Sequence, residues 1–228
     1  MKNKTIVSLL VFIVLFGCKK EEPRALSIKD DIDNLFDLTK YKKILQKKIN
    51  DSVMIFEGKN KRFSIKGQYN FVSNYKIGWW KSYDITNKEK YLDIEFFKEI
   101  DKTKEFNNQI IFYKNNIIDT LYSKFYTKKM RDDETLLYSF YFPKSWDKFY
   151  STNINIGIIS NERPLLYPTD FKSEKIKEGC YTHLLNLSKY KNHKDLNIIG
   201  LFSEYSINEK EKKISISEIF INDTIKLK

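Results

Sequence analysis

Several shortages narrow the classes of protein to which this chain can belong. Its 228 residues include only 2 Cys, 4 Pro and 7 Gly. Two cysteines are too few for a disulfide framework, so the hydrophobic core has to hold the body together. The apolar run from Thr5 to Phe16 has 12 residues, whereas a helix needs about 20 to cross a membrane. A permanent transmembrane anchor is therefore the weaker interpretation.

Recognisable catalytic motifs are also missing. The chain has no P-loop, dinucleotide fingerprint, nucleophile elbow or zinc helix motif. Cys180, His183, His193 and Asp195 are of residue types that can bind zinc or form a thiol-histidine pair. On a strand, however, residues three apart point to opposite faces, which separates Cys180 from His183. We therefore predict no metal, no cofactor and no catalytic residue.

Two carboxylate pairs are the remaining candidates for catalysis. Asp93 and Glu95 would share one strand face, and Glu204 and Glu218 could be cross-strand neighbours. Paired carboxylates hydrolyse glycosidic bonds when they are about 5 to 9.5 Å apart. Charged residues on the wet face of a sheet explain the same pattern. The chain is therefore predicted not to be an enzyme, with a glycan hydrolase as the alternative.

Aromatic residues and lysine are what the chain has in quantity. Hydrophobic content is 41% and aromatic content 15%, which is typical of a globular protein. The 17 Phe and 15 Tyr favour β-strands. Lys and Arg number 41 against 30 Asp and Glu, for a net charge of +11. Because the lysines are dispersed among acidic residues, we interpret the charge as a solvated surface and expect no nucleic-acid partner.

The N-terminus has the layout of a secretory signal peptide, since a basic start precedes the apolar run. The run ends in "LFGC", from Leu15 to Cys18, which resembles the lipobox of bacterial lipoproteins with Phe16 in place of the usual small residue. The resemblance implies that residues 1–17 are removed and that Cys18 is acylated. The membrane would then be a partner through the acyl chains on Cys18.

The charged residues after Cys18 form a second signal. Lys19 to Glu22, "KKEE", resembles the surface-export signal of Bacteroidota lipoproteins. This resemblance implies a lipid-anchored protein of the outer membrane, exposed at the cell surface, with a periplasm-facing anchor as the alternative. Residues 18–27 are interpreted as the lipidated tether.

Residues 28–50 are predicted to form an amphipathic helix, because their apolar residues fall at helical spacing. Lysines cover the second half of this segment, so the helix could lie on an anionic membrane or pack on the body of the protein. The residues that set the spacing are Ile28, Ile32, Leu35, Phe36, Tyr41, Ile44, Leu45 and Ile49.

Residues 51–128 are predicted to form a β-meander, because short alternating runs replace helical spacing. Gly and aromatic residues in this segment resemble the variant MORN repeat, which implies stacked hairpins that act as a scaffold or contact surface. The resemblance covers residues 63–128, and a hairpin turn is expected at Asn115 and Asn116. The residues that carry it are Gly67, Tyr69, Gly78, Trp80, Tyr83 and Asp84.

Residues 129–228 contain further short strand candidates that predict an antiparallel β-sandwich-like domain. The last run changes face between Ile216 and Ile219, so a bulge is predicted near Ser217 and Glu218. The expected fold class is mainly β, with an N-terminal helix, an antiparallel β-meander and a following β-sandwich-like part.

Trp79, Trp80 and Tyr83 are the candidate binding residues. Exposed rings would offer a platform for a sugar or a partner protein, and buried rings would form a cross-strand cluster. Because adjacent strand residues face opposite sides, one tryptophan is expected at the surface. We predict a non-enzymatic, lipid-anchored envelope protein that binds an envelope protein or glycan through its β surface. The alternatives are a glycan hydrolase and an immunity-type inhibitor of a secreted toxin.

Overall fold

A computed structural model of the chain describes residues 32–98, 105–143, 147–160, 164–165, 174–177, 179–209 and 211–227. The predicted leader at 1–17, the lipidation site Cys18 and the tether at 18–27 lie outside these residues. The chain divides into two compact units, residues 1–40 and 41–228. Within the described ranges, no helix has both the length and the hydropathy needed to span a bilayer.

The described residues include only the end of the predicted N-terminal helix. Residues 32–35 are helical, and a turn of 3-10 helix follows at Leu38–Lys40. Between them, the Asp37 carboxylate accepts hydrogen bonds from the backbone N–H of Thr39 at 3.0 Å and from its hydroxyl at 2.6 Å. The Thr39 N–H is thus bonded to a side-chain oxygen. This local turn competes with the backbone hydrogen bond that would continue an α-helix.

The helix predicted over 28–50 is wrong beyond Lys40, because Lys42–Lys48 forms strand β1. β1 pairs antiparallel with β2, Val53–Lys59, and this tertiary pairing outweighs the helical spacing of its apolar residues. All seven residues of β1 are exposed, and four of them are lysines. Lysines along this outer edge of the sheet discourage a further chain from pairing with it.

Seven antiparallel strands form the meander sheet, which runs from β1 to β7 in sequence order. Asn115 and Asn116 turn between the last two strands with φ of 53° and 61°, which confirms the predicted hairpin turn. The sheet covers residues 42–118 rather than 51–128. The strands after β2 are β3 (Phe63–Asn70), β4 (Tyr75–Asp84), β5 (Glu89–Lys98), β6 (Glu105–Lys114) and β7 (Ile117–Ile118).

In the described residues after β7, eight further strands form the predicted β-sandwich. They are β8 (Phe125–Met130), β9 (Thr135–Tyr141), β10 (Lys148–Ser160), β11 (Pro164–Leu165), β12 (Glu174–Lys177), β13 (Cys180–Asn186), β14 (Asp195–Asn208) and β15 (Lys213–Lys226). One sheet has the order β11-β10-β14-β15, and the other has the order β12-β13-β9-β8. Because β8 belongs to the sandwich, the boundary lies before Phe125 rather than after residue 128.

The two sheets of the sandwich pack through a core of aromatic and branched side chains. Phe140 of β9 stacks on Phe202 of β14 with 4.1 Å between ring centroids. Tyr181 of β13 lies 5.5 Å from the same Phe202 ring. Leucines and isoleucines of both sheets fill the remaining core. These contacts across the sheets confirm the mainly β, sandwich-containing fold class.

The bulge predicted near Ser217 and Glu218 is wrong. β14 and β15 pair along their whole length without a shift of register. Ile219 is buried in the core, whereas Ile216 is exposed on the outward face of the same regular strand. The spacing of the isoleucines changes because Ile214 and Ile216 are apolar residues at the surface, and not because the backbone is irregular.

Candidate binding surface

Trp80 is a core residue, and its assignment to a binding surface is wrong. Its side chain is fully buried, and Nε1 donates a hydrogen bond to the carbonyl oxygen of Gln68, 2.9 Å away. The ring centroid lies 5.9 Å from that of Phe56 and 6.4 Å from that of Phe96. Trp80 therefore stabilises the inner face of the meander.

Gly67 of β3 provides the space that the Trp80 ring occupies. A Cβ atom built at Gly67 would lie 2.1 Å from Cδ2 of Trp80. No side chain fits at that distance, so only glycine allows the ring to lie flat on the neighbouring strand.

Trp79 and Tyr83 lie on the outward face of β4, with 39% and 40% of their surface exposed. They are four residues apart on one strand, which corresponds to about 13 Å. Lys81 lies between them, is exposed, and makes no hydrogen bond or ion pair with the part of the chain that the structure describes. We call Trp79, Lys81 and Tyr83 the aromatic stripe.

The charged side chains that border the stripe form ion pairs of their own. Lys66 lies directly opposite Lys81 on β3, and its Nζ is 3.2 Å from a carboxylate oxygen of Glu57. Asp93 lies opposite Lys81 on β5, and its carboxylate is 2.6 Å from Nζ of Lys90. Among the described residues, Lys81 is therefore an unpaired cation between the two rings, where a ligand could engage it.

Glu95 is a half-buried acid directly opposite Trp79 in the sheet register. Its Oε2 accepts hydrogen bonds from the side-chain amides of Asn108 and Gln109, each 2.8 Å away. Burial raises the pKa of Glu95 above its ordinary value, and the nearby Asp223 carboxylate adds to the rise, although the two amides oppose it. A carboxyl group with increased proton affinity thus lies beside an exposed aromatic ring.

Hydrogen bonds from side chains to backbone groups join β6 of the meander to β15 of the sandwich. We call this contact the seam. The Asn108 amide donates to the Phe220 carbonyl oxygen at 3.0 Å and accepts from the Phe220 N–H at 2.7 Å. Nζ of Lys124 donates to the carbonyl oxygens of Asn107 at 3.2 Å and Glu218 at 3.0 Å. Burial lowers the pKa of Lys124 to about 8.

Asp223 is the second carboxylate of this seam, and structural partners hold it. Lys128 forms an ion pair with one carboxylate oxygen, and the Tyr138 hydroxyl donates to the other at 3.0 Å. Burial raises the pKa of Tyr126 and Tyr138, and the charge of Asp223 adds to both shifts. Asp223 therefore joins strands of the two sandwich sheets.

Glu204 and Glu218 do not form a carboxylate pair. The register places Glu204 opposite Ser217, so the two glutamates point to opposite faces of the sheet. Glu204 is buried and accepts a hydrogen bond from the Tyr181 hydroxyl. Glu218 is exposed and accepts one from the Ser203 hydroxyl at 3.2 Å.

Cys180 and His183 are buried three residues apart on β13, which places their side chains on opposite faces. Burial lowers the pKa of His183. His193 lies in the connection before β14, with its ring centroid 6.5 Å from that of Tyr190. Within the described ranges, no group of three or more His, Cys, Asp or Glu side chains could hold a metal ion.

Comparison with known proteins adds no relative, because no protein-family model, curated protein or solved structure matches the chain. The sequence identified Trp79 and Tyr83 as binding residues and Glu95 as part of a carboxylate pair with Asp93, but it missed Lys81. Alternation along β4 could have indicated Lys81, since it is two residues from each ring. The position of Glu95 beside Trp79 had no local signal, because it depends on the pairing of β4 with β5.

Proposed function

We propose that this protein is a non-enzymatic, lipid-anchored binding protein of the cell envelope that holds a glycan chain on the aromatic stripe. The observation that carries the proposal is the exposure of two aromatic rings, Trp79 and Tyr83, on one face of β4. The apolar face of a sugar ring packs well on a flat aromatic surface. Its hydroxyl groups remain available for hydrogen bonds to neighbouring polar side chains.

The spacing of the two rings favours a polymer over a single sugar. A monosaccharide cannot cover rings that are about 13 Å apart, whereas several linked sugar units can. Lys81, between the rings, can donate hydrogen bonds to hydroxyl or carboxylate groups of such a chain. The Glu95 carboxyl group beside Trp79 offers a further polar contact.

The lipid anchor proposed at Cys18 fits a role in weak, repeated binding. A protein tethered to a membrane meets an envelope polymer at high effective concentration, so modest contacts are sufficient. The surface-export signal proposed at Lys19 to Glu22 would place the aromatic stripe where glycans of the cell surface are accessible.

A glycan hydrolase is the second candidate, and Glu95 is the observation that favours it. An acid with a raised pKa beside a stacked sugar could protonate a glycosidic oxygen. The nearby carboxylate of Asp223, however, is engaged by Lys128 and Tyr138. Binding without hydrolysis therefore remains the preferred function.

Affinity electrophoresis tests the proposal with the full chain in a non-ionic detergent. The gels contain neutral dextran or xyloglucan, or acidic alginate. We expect at least one polysaccharide to retard the wild-type protein. Trp79→Ala and Tyr83→Ala should each weaken this binding by up to about tenfold, because an aromatic contact contributes about 0.5 to 1.5 kcal/mol beyond the burial of its area.

Tyr122→Ala is the matched control, because Tyr122 is 40% exposed and lies outside the stripe. This variant should bind as the wild type does. A wild type that migrates freely in every gel, or an equal loss in Tyr122→Ala, would contradict the proposal. Release of reducing ends from the bound polysaccharide, abolished by Glu95→Gln, would identify a hydrolase instead.

A further inference from the structure

The outward face of the β10-β14-β15 sheet has a composition unlike the rest of the chain. Its seventeen outward positions are every second residue, first and last included, of Ser151–Ile159 on β10, Asn197–Ile207 on β14 and Ile214–Thr224 on β15. None of them is Lys or Arg, although these two types account for 41 of the 228 residues. We call this surface the lysine-free face. Depletion of charge at this scale is typical of the centre of a protein interface.

Exposed aliphatic side chains lie on the lysine-free face. Ile214 and Ile216 are 64% and 55% exposed, and Ile199 and Phe220 are also exposed. The outward residues of β10 are mostly small or polar, so the apolar strip has a polar border. Glu218 is the one charged residue among the seventeen positions. An apolar strip on β14 and β15, bordered by polar residues on the β10 side, combines the two kinds of surface that protein interfaces contain.

We infer that the lysine-free face binds a second copy of the same chain in a two-fold symmetric dimer. Each copy carries a net charge of +11, so two copies repel each other over most of their surfaces. The lysine-free face is where two such chains can approach with the least repulsion. A two-fold axis then places the same apolar strip on both sides of the contact, which makes the surface self-complementary.

The area of the face is sufficient for a weak, specific dimer. Each outward residue of a sheet covers about 32 Å², the product of two residue rises and one strand spacing. Ser203 is buried, so the other sixteen positions offer about 510 Å² per copy and about 1,020 Å² in total, close to the roughly 1,000 Å² that a specific interface needs. We expect a dissociation constant in the micromolar range.

An anionic membrane or an acidic polymer is a poorer occupant of this face, because such partners bind to clustered Lys and Arg. The inference is also independent of the proposed glycan binding. The aromatic stripe lies on β4 of the meander, whereas the lysine-free face belongs to the sandwich. Failure of one proposal would leave the other unaffected.

Sedimentation equilibrium of the full chain in a density-matched non-ionic detergent tests the dimer between about 1 and 100 μM. The wild type should become dimeric at the upper end of this range. Ile216→Lys should weaken association at least about 100-fold, because it brings two cations into the apolar strip. Added salt should strengthen the wild-type dimer, because it screens the repulsion between basic copies.

Val72→Lys is the matched control, because Val72 is 68% exposed in the turn between β3 and β4. It should dimerise as the wild type does. Circular dichroism should show that both variants fold. A wild type that stays monomeric to about 100 μM, or an unchanged dimer of Ile216→Lys, would overturn the inference. So would a monomer that instead binds a different protein through Ile216.

Discussion

Trp79 and Trp80 are neighbours in the sequence and have opposite environments. Trp80 lies over Gly67 and beside Phe56 in the core of the meander, whereas Trp79 is exposed on the other face. Adjacent residues of a strand point to opposite faces, so the sequence predicted that one ring is buried and the other exposed. It did not determine which ring points inward. The close approach of Gly67 decides this, because a residue without a Cβ atom leaves room on β3 for the indole of Trp80.

Replacing Gly67 by alanine should destabilise the protein by about 3 kcal/mol, because the new Cβ would overlap the enclosed Trp80 ring. Urea unfolding followed by circular dichroism measures this change in the free energy of unfolding. Gly78→Ala is the control, because its Cβ would meet open space and only its φ of 59° disfavours alanine, by about 1 kcal/mol. Equal destabilisation of the two variants would show that the contact with Trp80 is not decisive.

β6 and β15 are joined by side chains rather than by a ladder of backbone hydrogen bonds. The edge of β15 exposes backbone groups that need partners. Asn108 supplies a donor and an acceptor to Phe220, and Lys124 supplies a donor to Glu218. The meander therefore covers part of an edge that could otherwise pair with another chain.

Lys124 should make the stability of the protein rise between pH 8 and about 9.5. Burial lowers its pKa to about 8 in the folded state, whereas an unfolded lysine keeps its proton up to about 10.4. In this window the unfolded state binds more protons, so unfolding becomes less favourable as the pH rises, by about 2 kcal/mol in all. Urea midpoints measured across this window should show the rise.

Lys124→Met should remove this pH dependence, because the titrating group is gone. Its absolute stability also changes, since the carbonyl oxygens of Asn107 and Glu218 lose a donor. The slope of stability against pH, rather than its level, is therefore the readout. Identical slopes for wild type and Lys124→Met would refute the assignment.

The whole molecule combines a basic β body with a proposed lipid anchor at its N-terminus. Fatty-acid labelling in cells should mark the wild type and leave Cys18→Ala unlabelled and no longer in the membrane fraction. Each buried CH₂ group of an acyl chain contributes about 0.8 kcal/mol to anchoring. Cys180→Ala is the matched control and should keep its label, because Cys180 is a buried residue of the sandwich. Equal labelling of Cys18→Ala and wild type would refute the anchor.

The sequence predicted more of the fold than of the candidate binding site. Alternating apolar residues indicated the strands of the meander and the sandwich, since period-2 burial is a local property. The segment Lys42–Lys48 was misassigned as helix, because its apolar spacing fits a helix and its strand conformation depends on pairing with β2. Of the candidate binding residues, Trp79 and Tyr83 are exposed and Trp80 is not.

Local periodicity by itself determined that the chain is mainly β, with a meander followed by a sandwich. Only the tertiary structure decided which residues share a face across strands. A change of register by one residue moves every side chain to the other face, and register depends on hydrogen bonds between distant segments. That dependence placed Glu95 beside Trp79, turned Glu204 away from Glu218, and left Ile216 exposed on the lysine-free face.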